Sequence, residues 1–328
     1  MERGAEWVLP GYETMRELAA RTGLHFREKG ALYGDREPRD GTPVTREELL
    51  DAIARLGDAR GPSLAAALDT LPVTEGARAA IASRLAISTA HELDDQPASI
   101  LADGAAGFGA FAGHSVDGGN DLLARTLAAA LDVRLETRVD RIAWSDSGVA
   151  IGSERADVCV VATPADAVAF DPPLPAWKQR ALAAVRYGHA AKLFLPLEHE
   201  VEPSATHSVT GRFWVWTEHG SRAASCFAGT AAALAHLAVE HGPEQWASRV
   251  RLLRPDLPYV DTPPVLVTWP GGAYSTRSLA SPLDDDVLAA PVGPIAFAGE
   301  HTAGEWYGLM EGALRSGLRA AAQSLTRR

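Results

Sequence analysis

Near its C-terminal end the chain carries its most restrictive stretch, "IAFAGEHTAGEWYGLMEGALRSGLRAA", residues 295–321. An apolar β-type run ends in glycine and glutamate, crosses a turn-rich segment, and enters a helix near Met310. Such a junction directs unpaired backbone N–H groups and the positive end of a helix dipole at whatever lies in front, and favours an electron-rich ligand edge there. Along the helix Gly312, Ala313, Ser316, Gly317, Ala320 and Ala321 are small enough for its backbone to approach a sheet or a flat cofactor. Either neighbour satisfies the pattern.

A chain of 328 residues exceeds one ordinary core, so two domains, or one with a large insertion, are expected. Its net charge of −11 argues against nucleic acid or an anionic membrane surface as a partner and favours a small neutral or cationic substrate. Of 31 basic residues only three are lysines, Lys29, Lys178 and Lys192, so each invites inspection. Cys159 and Cys226 match neither a metal spacing nor a redox pair and read as buried thiols. With no charged-then-apolar leader and no apolar run of about 18 residues, a cytoplasmic chain is the expectation.

Along the chain, Met15, Leu18 and Ala19 share a helical face that ends on Gly23, and "LHFREKGALYG" reads as two short strands or a strand and turn. Thr45 and Glu48 form a capping box for a helix closed by Gly57, and 62–90 continues helical. Six glycines in "LADGAAGFGAFAGHSVDGGN", 101–120, mark the clearest internal boundary. A helix over about 120–131 precedes short strands ending at Val158–Ala162; a further helix ends near Tyr187-Gly188. Residues 190–287 turn to aromatic-rich strands with helices near 230–254.

Other candidate chemistry fails on spacing. In "GHSVDG" Asp117 stands where a nucleophile elbow needs glycine, so His114 and Ser115 read as loop polar groups. The adjacent carboxylates of "LDDDV" cannot all face one ion, and no HExxH pair occurs, so no metal site is expected.

The 295–321 stretch resembles the C-terminal flavin-binding signature of the FAD-dependent amine oxidase family, which includes monoamine and polyamine oxidases. "ERGAEWVLPG", "DGGNDLLARTLAAAL", "TRVDRIAW", "ADVCVVATP", "FDPPLPAWKQRALAAVRYGHAAKLFL" and "RPDLP" before a Trp-Pro-Gly segment resemble it too, in the family's order. The resemblance implies FAD against the small-residue helix. Glu300 would bond its ribityl or pyrophosphate region, and the Met310 N–H would face the flavin's pyrimidine edge. Val139 would hold adenine through its backbone, and Thr163-Pro164 would form the turn beside the cofactor. Gly4, Ala5, Glu6 and Trp7 would line the flavin's other side, while Gly299, Trp306, Leu309 and Ala313 complete the cofactor-contacting set. Lys192 matches the family lysine that holds a water beside the reactive ring nitrogen and assists reoxidation, the catalytic assignment here. Without the resemblance it reads as a solvated or snorkelling lysine.

The implied architecture is α/β with α+β: a Rossmann-like FAD-binding domain (1–42, 112–190, 288–328) interleaved with a mixed-sheet and helical substrate domain (43–111, 191–287). The implied chemistry is removal of a hydride equivalent from the carbon beside an amine nitrogen, giving an imine, with oxygen reoxidising the flavin. Leu309 occupies a position where the family commonly has one of two facing aromatic side chains. With Trp214, Trp269 and Trp306 as aromatic neighbours, it favours a bulky hydrophobic amine over a small alkylamine. No GxGxxG follows a strand, so the family's opening βαβ unit is expected to be missing, the chain alone is expected to lack stoichiometric FAD and activity, and a separate chain could supply that unit. A non-catalytic binding subunit and a desaturase or porphyrinogen-oxidase-like flavoenzyme are the alternatives.

Overall fold

The computed structural model describes residues 1–101 and 107–326, apart from the side chain of Ala110. It is mixed α/β and divides into two compact units. The first comprises Met1–Gly11, His25–Asn120 and Tyr187–Ala273; the second comprises Tyr12–Leu24, Asp121–Arg186 and Tyr274–Arg328. This partition runs differently from the one drawn on the sequence. Strand Phe26–Gly34 pairs with Gly109–Val116, and Glu37–Arg39 joins the sheet built from residues 190–268, so 25–42 and 112–120 belong with the first unit.

The first unit is organised by a six-stranded sheet in the order Val265–Thr268, Ala190–Pro196, Ala223–Gly229, Phe213–Thr217, Ser204–Ser208, Glu37–Arg39. All neighbours are antiparallel except the last pair. Alternation along the strands sorts side chains onto two faces. On one, Leu193, Leu195, Val215 and Cys226 pack with Trp246, Val250 and Leu253 of helix Glu244–Leu253. On the other, Lys192, Phe227, Trp214 and His207 stand in register across four strands. Ile87 of helix Glu75–Thr89 clusters there with Trp7, Trp214 and Trp216.

Helix Arg46–Ala54 carries the expected Thr45/Glu48 capping box, but it ends before Gly57, which sits in the 3₁₀ turn Leu56–Asp58. Residues 62–90 form two helices, Leu64–Asp69 and Glu75–Thr89, the second started by the Thr74 side chain accepting from Ala77 N–H. The glycine-rich 101–120 stretch is no simple boundary. Residues 102–106 lie outside the described residues, and Gly109–Val116 is a strand, so His114 and Ser115 are strand residues rather than loop ones. "LHFREKGALYG" is likewise one strand, interrupted where its register shifts between Glu28 and Leu32.

In the second unit a parallel pair, Cys159–Val161 with Ile295–Phe297, lies against helix Met310–Leu325, where Ala320 meets Ala296 and Ala298. A four-stranded sheet, Glu154–Ala156, Gly148–Ile151, Arg141–Ser145, Ala169–Asp171, stands beside it in the chain. Helix Glu13–Arg21 buries Met15 and Ala19 and ends through Thr22, with Leu24 N–H reaching back to Ala19 O at 2.9 Å. Its N-terminus is closed from 296 residues away: the fully buried Glu311 accepts from Thr14 N–H (2.9 Å) and Met15 N–H (3.0 Å).

All three lysines are buried. Lys178, on helix Ala176–Ala184, closes the C-terminal end of helix Asp285–Ala289, donating from Nζ to the carbonyls of Val287 (3.0 Å), Leu288 (2.7 Å) and Ala290 (2.8 Å). Burial, with Arg319 nearby, lowers its pKa to about 7. The unfolded chain holds this proton up to about 10.4, so through Lys178 native stability rises with pH above about 7 and is lost as pH falls back toward it. Lys178→Met removes that slope. In urea melts, the unfolding free energy of wild type minus that of the variant should increase between about pH 7 and about pH 10; a constant difference would refute the assignment.

Candidate functional site

The first unit contains a chain of alternating buried charges. Glu6 joins Lys29 (Oε1 to Nζ, 2.8 Å) and Lys192 through its other oxygen; Lys29 also pairs with Glu218, which takes Arg27 at 2.9 Å. Glu6 and both lysines are less than a tenth exposed. Burial raises the Glu6 pKa, but Lys192 and Lys29 outweigh it and hold the carboxyl below its ordinary value. Glu6 is therefore a fixed anion.

The backbone around Glu6 is equally constrained. Ala5 adopts φ +51°, a left-handed conformation rare for alanine. Asn120 holds it there: Nδ2 donates to Ala5 O (2.7 Å) and Glu6 O (2.9 Å), while Oδ1 accepts from Val116 N–H (2.7 Å). Gly4 lies against Trp269, where a Cβ would come within 3.1 Å of the indole. Trp7 lies across Gly113, where a Cβ would fall 2.3 Å from its ring. The Trp7 ring packs at 5.4 Å from Tyr33, 5.5 Å from Trp214 and 5.8 Å from Trp216; Trp214 and Trp216 stack at 4.1 Å. Lys192 Nζ sits 5.2 Å from the Trp216 ring and donates to Glu2 O as well as Glu6. An ammonium has three donors, so one is left.

The second unit holds the remaining sequence-derived candidates. Gly299 N–H donates to Ser316 Oγ at 2.9 Å. Glu300 clamps its own loop: it accepts from Ser275 N–H (2.8 Å), Ser275 Oγ and Gly308 N–H (2.6 Å). Met310 opens helix Met310–Leu325, and Leu309 at its N-cap supplies no side-chain cap, so first-turn N–H groups stay open. The small-residue stripe divides. Gly312 presses on the Trp306 carbonyl, where a Cβ would lie 2.0 Å away, and Ser316 and Ala320 are buried, whereas Ala313 and Ala321 are exposed. Trp306 packs edge-on to Tyr12 at 6.2 Å and under Arg315 at 4.2 Å. Thr163 and Pro164 are exposed, lining a shallow concavity with Val161, Phe170, Phe297 and His301; Val139 packs against the Ile142–Phe297 cluster.

A family model described as flavin containing amine oxidoreductase matches residues 100–325. The chain belongs to this family. FAD is the cofactor that membership implies. Polyamine oxidase 4 of Oryza sativa subsp. japonica is 28% identical over 244 residues, covering 63% of this chain and 50% of that protein. The L-amino-acid oxidase of Mus musculus is 31% identical over 245 residues, 62% of this chain and 38% of that protein. The chain thus spans about half, or less, of the length of these curated relatives. Among solved structures, cyclohexylamine oxidase from Brevibacterium oxydans IH-35A superposes with TM-score 0.80 at 20% identity, over 99% of this chain and 88% of that one. Wild-type putrescine oxidase bound to putrescine gives 0.76 at 19%, over 98% and 88%. These show the same fold.

The residues present fit a flavin of this family at its ring end: an uncapped helix N-terminus preceded by a glycine turn is suited to an electron-rich edge. Sequence reasoning missed Lys29, Glu218, Asn120 and Glu311 as partners. Lysine scarcity singled out Lys29; nothing in the sequence marks Asn120 or Glu311 for the bonds they make to residues more than 100 positions away, Ala5 and Glu6 for the first and Thr14 and Met15 for the second. No helix among the described residues is long and apolar enough to cross a membrane, and no group of metal-binding side chains occurs among them.

Removing the shared carboxylate leaves Lys192 without its acidic partner while Lys29 keeps Glu218. Glu6→Gln should destabilise the protein by about 3–5 kcal/mol in denaturant unfolding. A change below about 0.5 kcal/mol, the range of ordinary surface substitutions, would mean the network contributes nothing to stability.

Proposed function

We propose that the protein is an FAD-dependent oxidase that converts an amine to an imine, R₂CH–NH₂ + O₂ → R₂C=NH + H₂O₂. The observation that carries this reading is a family-matching lysine, Lys192, buried on an aromatic sheet face with one ammonium donor uncommitted. When bound, FAD supplies the acceptor for the two electrons and proton leaving the substrate carbon as a hydride equivalent.

The chain's own groups do the rest. Glu6 and Glu2 O orient Lys192, so its remaining N–H can hold one water for the reoxidation half-reaction. Trp7, Tyr33, Trp214 and Trp216 exclude bulk water and offer faces to the apolar body of an amine. In the second unit, the open first turn at Met310 can donate to the electron-rich edge of the flavin, with Glu300 stiffening the loop before it. Leu309 in place of an aromatic residue supports a bulky hydrophobic amine as substrate. Family membership and the uncapped helix are the grounds for the flavin contacts; the roles of Gly4, Ala5, Val139, Thr163, Pro164, Gly299, Trp306 and Ala313 rest on the resemblance.

Titration with FAD, followed by bound-flavin absorbance, and peroxide release from a panel of short alkylamines and bulky hydrophobic amines test the reading. Bound flavin with peroxide from the bulky amines is expected; substrate binding with no flavin uptake at saturating FAD would point to a non-catalytic role instead. In the loaded enzyme, Lys192→Met should slow oxygen-driven reoxidation at least tenfold more than flavin reduction, corresponding to about 1.4 kcal/mol. Equal slowing of both half-reactions in stopped flow would remove the lysine's role.

A further inference from the structure

Three indoles of the first unit form one connected set of rings with Tyr33. Ring centroids lie 5.4 Å apart for Trp7 and Tyr33, 5.5 Å for Trp7 and Trp214, 5.8 Å for Tyr33 and Trp214, and 4.1 Å for Trp214 and Trp216. An electron passes readily between rings this close, because the orbital overlap that governs tunnelling falls off exponentially with distance. The indoles are poor places for an oxidising equivalent to rest. The Nε1–H groups of Trp7 and Trp216 are buried with no acceptor among the described residues, so an indole that loses an electron there cannot pass its proton on and stays a cation. Trp214 lies 3.5 Å under the Arg36 guanidinium, which opposes positive charge on that ring.

Tyr33 is built differently. The buried Arg36 and Arg84 guanidiniums stand 4.8 Å and 5.1 Å from its ring, and both hydrogen-bond the phenol oxygen. Burial pushes the Tyr33 phenol up, but Arg36 and Arg84, with hydrogen bonds from Ser88 and Arg36, outweigh it and bring it below its ordinary value. Neighbouring His207 supplies no further charge, since burial first, then Arg36 and Arg84, lower its pKa to about 3. A buried cation calls for an anion, and Tyr33 is the acid whose charge acts on Arg84. A phenol that has already released its proton is oxidised by loss of an electron alone. Its product is neutral. The ring is also within reach of solution: Tyr33 and Phe111, stacked at 6.3 Å, are half-buried.

We propose that Tyr33 is a redox site, the terminal electron donor of the Trp7, Trp214 and Trp216 cluster. A one-electron oxidant beside Trp7, here photo-excited flavin, takes one electron from the indole and leaves its radical cation. The Tyr33 phenolate then passes one electron to that indole, directly or through Trp214, which restores the neutral indole and leaves a neutral tyrosyl radical; no proton moves. A reductant in solution, such as ascorbate, returns the electron at the half-buried ring. One-electron oxidising equivalents thus leave the aromatic face without lodging on a tryptophan. The inference takes its oxidant from the amine-oxidase reading, whereas the donor stands on its own geometry.

At neutral pH the flavin-free protein should show a near-ultraviolet tyrosinate band that Tyr33→Phe removes. After photo-oxidation by tris(bipyridine)ruthenium, freeze-quench electron paramagnetic resonance should detect a tyrosyl radical in the wild type. The chain has six tyrosines, so the variant makes the assignment: Tyr33→Phe should lose more than half of that signal, with circular dichroism confirming the fold. In the flavin-loaded protein a light flash should give an indole radical that decays as the tyrosyl absorbance rises, and Trp7→Phe should suppress both. Equal tyrosyl yields from wild type and Tyr33→Phe, or a flash-induced indole radical with no tyrosyl successor, would overturn the proposal. If Tyr33→Phe does not fold, the wild type decides, since absence of the tyrosinate band or of any tyrosyl radical would overturn the donor by itself. Failure to take up FAD, with the ruthenium-driven Tyr33 signal intact, would sink the oxidase reading alone.

Discussion

Two buried ammonium groups share one carboxylate, and much of the first unit is arranged to keep it so. Glu6 must stay anionic and within reach of both Lys29 and Lys192, which come from strands far apart in sequence. That requirement explains the left-handed Ala5, the Asn120 side chain bonded to the carbonyls of residues 5 and 6, and the pairing of Glu218 with Lys29 and Arg27. A buried ion chain of this kind is weak evidence for stability, since apolar replacements often do as well. It does fix the position and charge of the groups it contains. Lys192 stands on a sheet face lined by tryptophans, and such fixity serves chemistry better than it serves folding.

The second unit solves its polar problems at helix ends. Glu311 closes one helix N-terminus from a distance, Lys178 closes a C-terminus, and Glu300 ties down the loop that leads into Met310–Leu325. Against this background the uncapped start of that helix stands apart. Its open N–H groups, reached through a glycine turn, are suited to an electron-rich ligand edge.

Much of this was legible beforehand. The Thr45/Glu48 box, the helix beginning at Met310 and the aromatic strands of 190–229 follow from local patterns, since each depends on residues a few positions apart. The glycine-rich stretch before Asn120 misled because glycine serves close packing as well as turns. Gly113 is there for Trp7, inside a strand. The division into units was hard to read for a related reason: residues 25–39 follow their strand partners at 109–116 and 206–208, not their neighbours in sequence.

Of the site, the sequence by itself determined the family, the cofactor it implies, and the identity of Lys192 as one of three lysines in a chain that otherwise uses arginine. Only the tertiary structure decided what those residues touch. Whether a lysine is solvated or buried against a carboxylate depends on which strands are neighbours, and strand neighbours are set by long-range pairing that leaves no local trace. The same holds for Arg36 and Arg84. In sequence they are two of many arginines; in the fold both are buried against the ring of one tyrosine, Tyr33.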